Sequence, residues 1–507
     1  MRLLISIIIS SYFVTVYSVK EIELECEKIP KTWRSPYKTE HSCEFHQVHV
    51  KNNFTKIRIL DSEFIEFPEV LFQNSTFFVF PVELIEQLPE VTTILMTSVQ
   101  LKIIPESTFA SAQHLETLDL SKNNLTEIGE KTFCGAENLE SLTLHGNKIK
   151  IISKKAFLCT PKVRFLVLSF NELELIEAET FAPLTNLKYL DMNNNKLKEI
   201  ASNAFVNNPL KYGLILSDNK LNNLELNIGT EVRDIKVSNN KLKSFSLKSS
   251  NSAASVIEIV ANNNELSSMT IDSTIDVKQI RLDNNKMENL DSLLSLSSLI
   301  VLSLSNNSLK HIQGLDKFPN LKRLDLSQNK VSLDQGVFNP LKNLKWIKLS
   351  NTAMTKFDFE WFGTPENSLE NLQTLEINQN KLTEFDFTEV HRYFPGLRGI
   401  MVNDNPFNCS FVEQMLKYFE LQTKIQVWDA DTESPETNVE HVKCQTETKE
   451  DPHPHRTLIW GLVFGMAALG IVIGFAVYKY KRSKAVDPVS FSYRPSSNMR
   501  NSEIMDP

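Results

Sequence analysis

Six cysteines carry the clearest chemical signal in this chain. They form three pairs of near neighbours, an arrangement typical of disulfides made in an oxidising compartment. We expect each cysteine to bond its neighbour, with two free buried thiols as the alternative for the middle pair. The predicted pairs are Cys26 with Cys43, Cys134 with Cys159, and Cys409 with Cys444.

Asparagine-containing motifs elsewhere in the sequence predict N-linked glycosylation. Five N-x-S/T sequons occur, and each is a candidate for N-linked glycosylation in a secreted protein. They lie at Asn53, Asn74, Asn124, Asn306 and Asn408.

Motifs for catalysis are absent from the sequence. It contains no zinc-protease motif, no serine-hydrolase nucleophile motif, no phosphate-binding loop and no C-x-x-C pair. His453 and His455 could ligate a metal, but two histidines among prolines are more typical of a solvated spacer. The net charge of −8 provides no basic footprint for nucleic acid. We therefore expect no enzyme activity, no metal, no cofactor and no nucleic-acid partner.

A repeated pattern, L-x-x-L-x-L-x-x-N-x-L, predicts the elements that position these groups. One copy consists of Leu115, Leu118, Leu120, Asn123 and Leu125. The asparagine positions, here called slots, recur at a constant interval from position 99 to 219 and at varying intervals afterwards. The slots are Val99, Asn123, Asn147, Asn171, Asn195, Asn219, Asn240, Asn264, Asn285, Asn307, Asn329, Thr352, Asn380 and Asn405.

This period and template predict leucine-rich repeats. The L-x-L core is a short strand whose leucines point inward while the intervening residues face solvent. Each slot asparagine is expected to be a buried amide that satisfies backbone groups where the chain leaves the strand. One coil cannot bury its own apolar side, so successive coils must stack.

A second periodic signal follows five consecutive slots at a fixed offset, where a phenylalanine stack would fill the core behind the strands. Its members are Phe109, Phe133, Phe157, Phe181 and Phe205. The predicted fold is an α/β solenoid, curved into a horseshoe with a parallel concave sheet, followed by one C-terminal transmembrane helix.

The N-terminal part predicts secretion and capping. Residues 1–18 combine a short apolar stretch with a small residue before a cleavage site, which indicates a signal peptide. We assign residues 19–90 to an N-terminal cap and irregular first coils, one of them with Ser62 in the slot. Residues 91–407 form the repeats, and residues 408–446 form a C-terminal cap.

The C-terminal part predicts a membrane anchor. A polar stalk at residues 447–457 leads into residues 458–478, which carry no charge and are long enough to cross a bilayer. Basic residues follow immediately, so the tail at residues 479–507 is expected to be cytoplasmic. The predicted location is the plasma membrane, as a single-pass type I protein.

The concave face offers two candidate ligand-binding regions. The first displays apolar groups at solvent positions on three successive coils, and exposed apolar patches often mark contact sites. It comprises Phe165, Val167, Phe170, Tyr189 and Ile215. The second is charged and includes residue types that dominate protein interfaces. Its candidates are Arg281, Arg323, Trp346 and Lys348. Strand propensity and solubility offer the alternative explanation for both regions.

The regular repeats and the flanking cysteines make the sequence resemble the animal extracellular leucine-rich repeat family. The layout is similar to the transmembrane leucine-rich immune proteins of insects and to neuronal or epithelial adhesion proteins. It departs from Toll receptors, because the predicted tail is too short for a folded cytoplasmic domain. The C-terminal cap also departs from the family, since Cys409-Ser-Phe411 lacks the second cysteine of the usual C-x-C motif.

The resemblance implies a cell-surface recognition receptor or co-receptor that binds an extracellular protein or a microbial ligand on the concave face. Signals would pass through a membrane co-receptor or a homodimer. The alternative is a cell-adhesion or matrix-contact protein whose tail is only an anchor.

Overall fold

The computed structural model describes most of the predicted ectodomain. The described residues are 20–25, 27–30, 41–50, 55–60, 68–205, 207–229, 232–249, 254–423, 425–428 and 442–445. The chain divides into two units, Met1–Gln445 and Thr446–Pro507, and all described residues belong to the first. The predicted signal peptide, stalk, transmembrane helix and tail lie outside them. Within the described residues, no helix is both long and apolar enough to cross a bilayer.

One long sheet, here called the main sheet, runs through the described coils. Its strands are Glu27–Pro30, His41–His46, Glu69–Gln73, Thr93–Leu95, Thr117–Asp119, Ser141–Thr143, Phe165–Val167, Tyr189–Asp191, Gly213–Ile215, Val232–Lys236, Ser255–Val260, Asp276–Arg281, Val301–Ser303, Arg323–Asp325, Trp346–Lys348, Thr374–Glu376, Gly399–Met401 and Gln426–Val427. The first two strands pair antiparallel, and every later pairing is parallel. Among the described strands, pairing passes from each coil to the next and does not return, so the sheet is an open ribbon. The predicted parallel sheet is confirmed.

The slot asparagines join neighbouring coils. Asn147 is representative: its Nδ2 donates to the backbone oxygens of Leu120 in the preceding coil and Leu144 in its own coil, at 2.9 and 3.0 Å. Its Oδ1 accepts from the backbone N–H of Leu125 at 3.0 Å. Without such a partner, each buried backbone group would cost roughly 1–3 kcal/mol. A carboxamide suits this position because it carries donors and an acceptor on one planar group.

The predicted phenylalanine stack fills the core behind the main sheet. All five rings are buried, and successive ring centroids are 5.8, 6.0, 5.9 and 5.9 Å apart. Paired strands lie only about 4.8 Å apart. The wider spacing of the rings places the main sheet on the inner side of the curve, as expected for a concave sheet.

Short parallel strands form on a second side of some coils, after the slot. Four of these strands form two separate pairs, and three others form a small sheet. They are Glu127–Ile128 with Ile151–Ile152, Leu175–Ile176 with Glu199–Ile200, and Asn223–Ile228 with Ser244–Ser249 and Thr270–Ile271. Nearer the N-terminus, His49–Val50 pairs with Thr76–Phe77.

Helices are few and short in the described chain. The α-helices are Val82–Gln87, Val390–Tyr393 and Cys409–Tyr418, and the last continues into a π-helical turn, Phe419–Thr423. The 3-10 segments are Asp291–Leu293, Leu315–Lys317, Phe359–Phe362 and Pro365–Asn367. The architecture is therefore a parallel β-solenoid rather than the α/β arrangement we predicted. So short a coil has little chain left for a helix once the strand and two turns are made.

The main sheet begins earlier than the slot pattern suggests. Glu69–Gln73 pairs with Thr93–Leu95, which places Ser75 in the slot position, one coil before Val99. Ser75 Oγ accepts from the backbone N–H of Val48 at 3.1 Å, in the manner of the asparagines.

Ser62, which we assigned to a slot, lies outside the described residues. The strand that precedes it, Thr55–Ile59, is separate from the main sheet and pairs with Lys20–Leu24. Alternating apolar residues look the same in both kinds of strand, so sequence alone did not separate them.

Two of the predicted disulfides are present. Cys134 and Cys159 join adjacent coils with a Cα–Cα distance of 4.8 Å, which excludes the free-thiol alternative. Cys409 and Cys444 close the C-terminal cap, also with a Cα–Cα distance of 4.8 Å. Cys43 is buried and disulfide-bonded, whereas its predicted partner, Cys26, lies outside the described residues.

Candidate ligand-binding face of the main sheet

Alternation along the strands turns the predicted apolar residues to one face of the main sheet. Phe165 and Val167 project outward, while the leucine between them is buried. Phe165 lies beside Tyr189 in register, and Val167 and Ile215 flank the residue between them, Asp191. The structure therefore brings the first predicted region together.

Tyr212 adds a ring to this region. It stacks on Phe165, with ring centroids 5.9 Å apart and planes 15° from parallel. The guanidinium of Arg164 lies 5.9 Å from the Phe165 ring centre, and the ammonium of Lys188 lies 5.9 Å from that of Tyr212. Because Phe165 and Tyr212 are 36 % and 41 % exposed, the rings remain accessible to a partner.

Phe170 lies in a left-handed backbone conformation, with φ 55°. The equivalent residue of each coil from slot 99 to slot 405 is also left-handed, and elsewhere it is Ser, Lys, Gly, Asn, Asp or Gln. A bulky residue is an outlier there, at a cost on the order of 1 kcal/mol. The ring packs edge-on against His145, with centroids 5.1 Å apart, but remains 52 % exposed. Local stability therefore does not explain a phenylalanine at this position, and strained residues often mark contact sites.

We call Phe165, Val167, Phe170, Tyr189, Tyr212 and Ile215 the aromatic face. A polar margin borders it, where His145 Nδ1 lies 3.0 Å from Ser169 Oγ. Burial raises the pKa of the Asp191 carboxyl, against the opposing effects of hydrogen bonds and of His145. Burial, followed by the charges of Asp191 and Asp234, also raises the pKa of Tyr189. The face thus presents a protonated phenol beside a half-buried carboxyl group whose pKa is raised.

Sequence reasoning missed Tyr212 and His145. Tyr212 precedes the strand Gly213–Ile215, so strand alternation makes no prediction for it. The available signal was Gly213, which lies beside Tyr189 at a position where other coils carry an outward side chain. The Gly213 backbone is left-handed, with φ 148°, and a Cβ there would lie 3.1 Å from the backbone oxygen of Asp234 on the next coil.

The second predicted region extends over later coils of the same face and is largely paired within itself. Arg281 Nε donates to Glu258 Oε1 at 2.8 Å. Arg323 is exposed, and among the described residues it has no ion-pair partner. Arg323 is therefore the more accessible of the two arginines.

Trp346 and Lys348 converge on one carboxylate. Trp346 Nε1 donates to Glu376 Oε1 at 2.7 Å, and Lys348 Nζ lies 3.6 Å from Glu376 Oε2. Burial raises the pKa of Glu376, although Lys348 and Trp346 act in the opposite direction. These side chains already satisfy one another, so they are less available to a ligand than the aromatic face.

The predicted glycosylation sites differ in exposure. Asn74 and Asn306 are exposed in left-handed turns, while Asn124 and Asn408 are partly buried. The Asn408 side chain also caps the helix that follows it, by accepting a backbone hydrogen bond at 2.8 Å. Asn53 lies outside the described residues, and glycosylation at all five stays a prediction.

Family models agree with the repeat assignment. The model described as "Leucine rich repeat" matches residues 89–149, 113–173 and 161–221, and a model for two copies of the repeat matches residues 297–336. The chain therefore contains leucine-rich repeats, as predicted. No curated protein matches it.

Solved leucine-rich repeat structures share the fold. The LRIM1/APL1C complex aligns with a TM-score of 0.59 and 19 % identity, over 91 % of this chain and 77 % of that one. The APL1 leucine-rich repeat domain aligns with a TM-score of 0.59 and 19 % identity, over 84 % and 100 %. The Drosophila Toll–Spatzle complex aligns with a TM-score of 0.56 and 17 % identity, over 72 % and 55 %. At these identities the likeness shows the fold alone.

Proposed function

We propose that this leucine-rich repeat chain is a cell-surface recognition receptor or co-receptor that binds an extracellular protein or a microbial ligand through the aromatic face. The observation that carries the proposal is the exposed, strained Phe170 on the same coil as Phe165, whose ring stacks on that of Tyr212. Exposed rings with flanking cations are typical of protein contact sites. The proposal places the chain in the plasma membrane through residues 458–478 and assigns it no catalytic role.

The similar folds support recognition as the general role. One of them occurs in a complex of LRIM1 with APL1C, and another in a complex of Toll with Spatzle. Leucine-rich repeat folds typically serve protein interaction, and their stacked coils create extended binding surfaces. In this proposal, signals pass through a membrane co-receptor or through a second copy of the chain.

The test uses cells that express the full chain and are stained with labelled secreted proteins and microbial surface preparations. The variant Phe165→Asp/Tyr189→Asp puts two carboxylates into the aromatic face, and we expect bound ligand to fall by about tenfold or more. The matched control is Arg323→Asp, which changes an exposed side chain on a later coil of the same face. Surface expression of each variant, measured with an antibody tag, normalises the comparison.

Two outcomes would contradict the aromatic face. Binding that survives the double variant but is lost in Arg323→Asp would move the site to the charged region. Loss in both variants at normal surface expression would indicate a ligand attracted by the whole sheet rather than by the rings.

Adhesion is the second candidate function. The charged region favours it, because Arg323 is exposed there without an ion-pair partner among the described residues, which leaves it available to a carboxylate of a second, identical chain. Cells expressing the chain would then aggregate with each other without an added ligand. Aggregation that is abolished by Arg323→Asp, with no ligand found in the screen, would favour adhesion over the receptor.

A further inference from the structure

A cleft lies between the coils of slots 352 and 380, on the side that follows the slot. It is separate from the main-sheet face, and its volume is about 540 Å³. Phe411, from the C-terminal helix Cys409–Tyr418, closes one end. A volume of this size falls in the range typical of small-ligand sites.

Aromatic rings form the floor of the cleft. Phe357 and Phe385 are buried, with ring centroids 6.0 Å apart. Phe385 continues to Phe411 at 5.8 Å, and Phe359 packs against Tyr393 at 5.0 Å. The rings therefore form one aromatic cluster that extends from the coils to the C-terminal cap.

Carboxylates form the rim. Five acidic residues and a single lysine line the cleft. Lys356 lies 3.1 Å from Asp358, and Arg392, just outside the lining, lies 3.3 Å from Glu389. The three remaining carboxylates have no cationic partner among the described residues. They are Glu360, Glu384 and Asp386.

The excess negative charge of the rim affects the hydroxyl group of Tyr393, which belongs to the floor. The pKa of the Tyr393 hydroxyl is raised, first by burial and then by the charge of Glu389, and Glu360 adds to the effect. A neutral or anionic ligand would gain nothing from such a field, whereas a cation would be attracted into the cleft.

A second cleft in the same molecule shows that this charge is not a general property of the coils. It is lined by residues of the coils of slots 147 to 195 and has a volume of about 500 Å³. It contains no aromatic residue, and each of its three glutamates pairs with a lysine. The pairs are Glu172 with Lys196 at 2.8 Å, Glu174 with Lys198 at 2.6 Å, and Glu177 with Lys154 at 3.0 Å.

We propose that the cleft floored by Phe357 and Phe385 binds an organic cation, an ammonium or guanidinium group carried on an alkyl chain. The cation lies over the rings, where the ring quadrupole attracts it. Its N–H groups are accepted by the Glu384 carboxylate and by Oδ2 of Asp386, whose Oδ1 already accepts from the backbone N–H and the hydroxyl of Thr388. The alkyl chain packs on the apolar floor. This site is distinct from the aromatic face, so either can fail without the other.

The test compares two probes of nearly equal shape on the purified full chain. n-Butylguanidinium is charged, and n-butylurea is its neutral counterpart. We expect the cation to bind at least about tenfold more tightly, measured by saturation-transfer NMR, and its binding to weaken as salt increases. Equal binding of the two probes would overturn the proposal.

Variants locate the binding. Glu384→Gln/Asp386→Asn changes two exposed side chains, and we expect it to weaken binding of the cation by about tenfold. The control, Glu172→Gln/Glu174→Gln, removes the same charge from the second cleft and should leave binding unchanged. Equal losses in both variants would mean that the cation responds only to net charge, which would refute a built site. Glu360→Gln on the other coil provides an independent variant and should also weaken binding.

The source of the cation is resolved by a second pair of probes. A blocked tripeptide with a central arginine is compared with the same peptide carrying citrulline. Tighter binding of the arginine peptide than of free n-butylguanidinium would identify a protein side chain as the occupant. Weaker binding of the peptide would identify a free amine or guanidine. Either result supports the cation site, and preference for citrulline would overturn it.

Discussion

The coils of slots 99 to 219 and the coils of slots 240 to 405 share the same asparagine ladder but differ in everything attached to it. We call them the first block and the second block. The first block keeps a constant period, a phenylalanine stack and an exposed aromatic face. The second block varies in period and carries a face of paired charges. A common device thus supports two chemically different surfaces, because the slot side chains bond mainly to backbone groups, apart from the bond between Thr352 Oγ1 and Asn380 Oδ1.

The coils also differ in how they fill the core behind the main sheet, and this difference follows from the local sequence. In the coils of slots 99 to 195, one buried phenylalanine per coil packs in the core behind the sheet. In the coils of slots 219 to 264, apolar residues alternate instead, as in Leu224, Leu226 and Ile228, and the segment Asn223–Ile228 is a strand. An alternation of period 2 favours a strand, so side-chain spacing decides how each coil closes its core.

On the outward face, the two blocks differ in whether their side chains already have partners within the chain. In the second block, Glu376 accepts a hydrogen bond from Trp346 and forms an ion pair with Lys348. Glu258 forms an ion pair with Arg281. These buried or half-buried charges therefore have partners. In the first block, the rings of Phe165 and Phe170 remain partly exposed. A face of exposed rings is a better candidate for ligand binding than a face whose charges are already ion-paired.

The largest effect is expected in the core of the first block. Phe157→Ala removes a ring that lies 6.0 and 5.9 Å from its two neighbours in the stack. The transfer and cavity costs should lower the free energy of unfolding by about 3–5 kcal/mol, measured by denaturant titration. Phe165→Ala is the control and should cost less than about 1 kcal/mol, because that ring is partly exposed. Similar losses in the two variants would contradict the stack as the core of this block.

An opposite, smaller effect is expected at Phe170. Phe170→Asn installs a residue that tolerates the left-handed backbone, so stability should rise by about 1 kcal/mol while ligand binding weakens. Asn194→Phe, at the same position of the next coil, is the reverse experiment and should destabilise by a similar amount. A Phe170→Asn protein that is less stable than the parent would show that the ring packs usefully and that strain does not mark the site.

The smallest effect is a pH dependence, which we test in the second block. Burial raises the folded-state pKa values of Asp325 and Glu376 above their ordinary values of 3.8 and 4.5. Folding therefore favours their protonated forms, and the resulting stability is complete below those ordinary values and lost as pH rises through the folded pKa. Relative to Glu376→Gln, the parent should gain stability as pH falls from 7 towards 4.5. A difference that stays constant or shrinks over this range in denaturant titrations would contradict the assignment.

Part of the molecule could be predicted from residue spacing. The slots, the phenylalanine stack and the outward position of Phe165 and Tyr189 follow from the coil period and from strand alternation, because each depends on neighbours at fixed sequence offsets. The pairing of Cys134 with Cys159 follows in the same way, since it joins equivalent places on adjacent coils. The strand Thr55–Ile59 shows the limit of this reasoning, because alternation does not reveal whether a strand belongs to the main sheet.

Only the tertiary structure decided the rest. Tyr212 stacks on Phe165 across two coils, and strand alternation does not encode that contact. The cleft beside Phe385 and Phe411 combines two coils of unequal length with the C-terminal helix, so its shape depends on how these elements pack. The sequence by itself determined the coil and its ladder, because these rest on local repetition. The surfaces that could recognise a partner were decided by tertiary structure, because they arise where side chains of different coils meet.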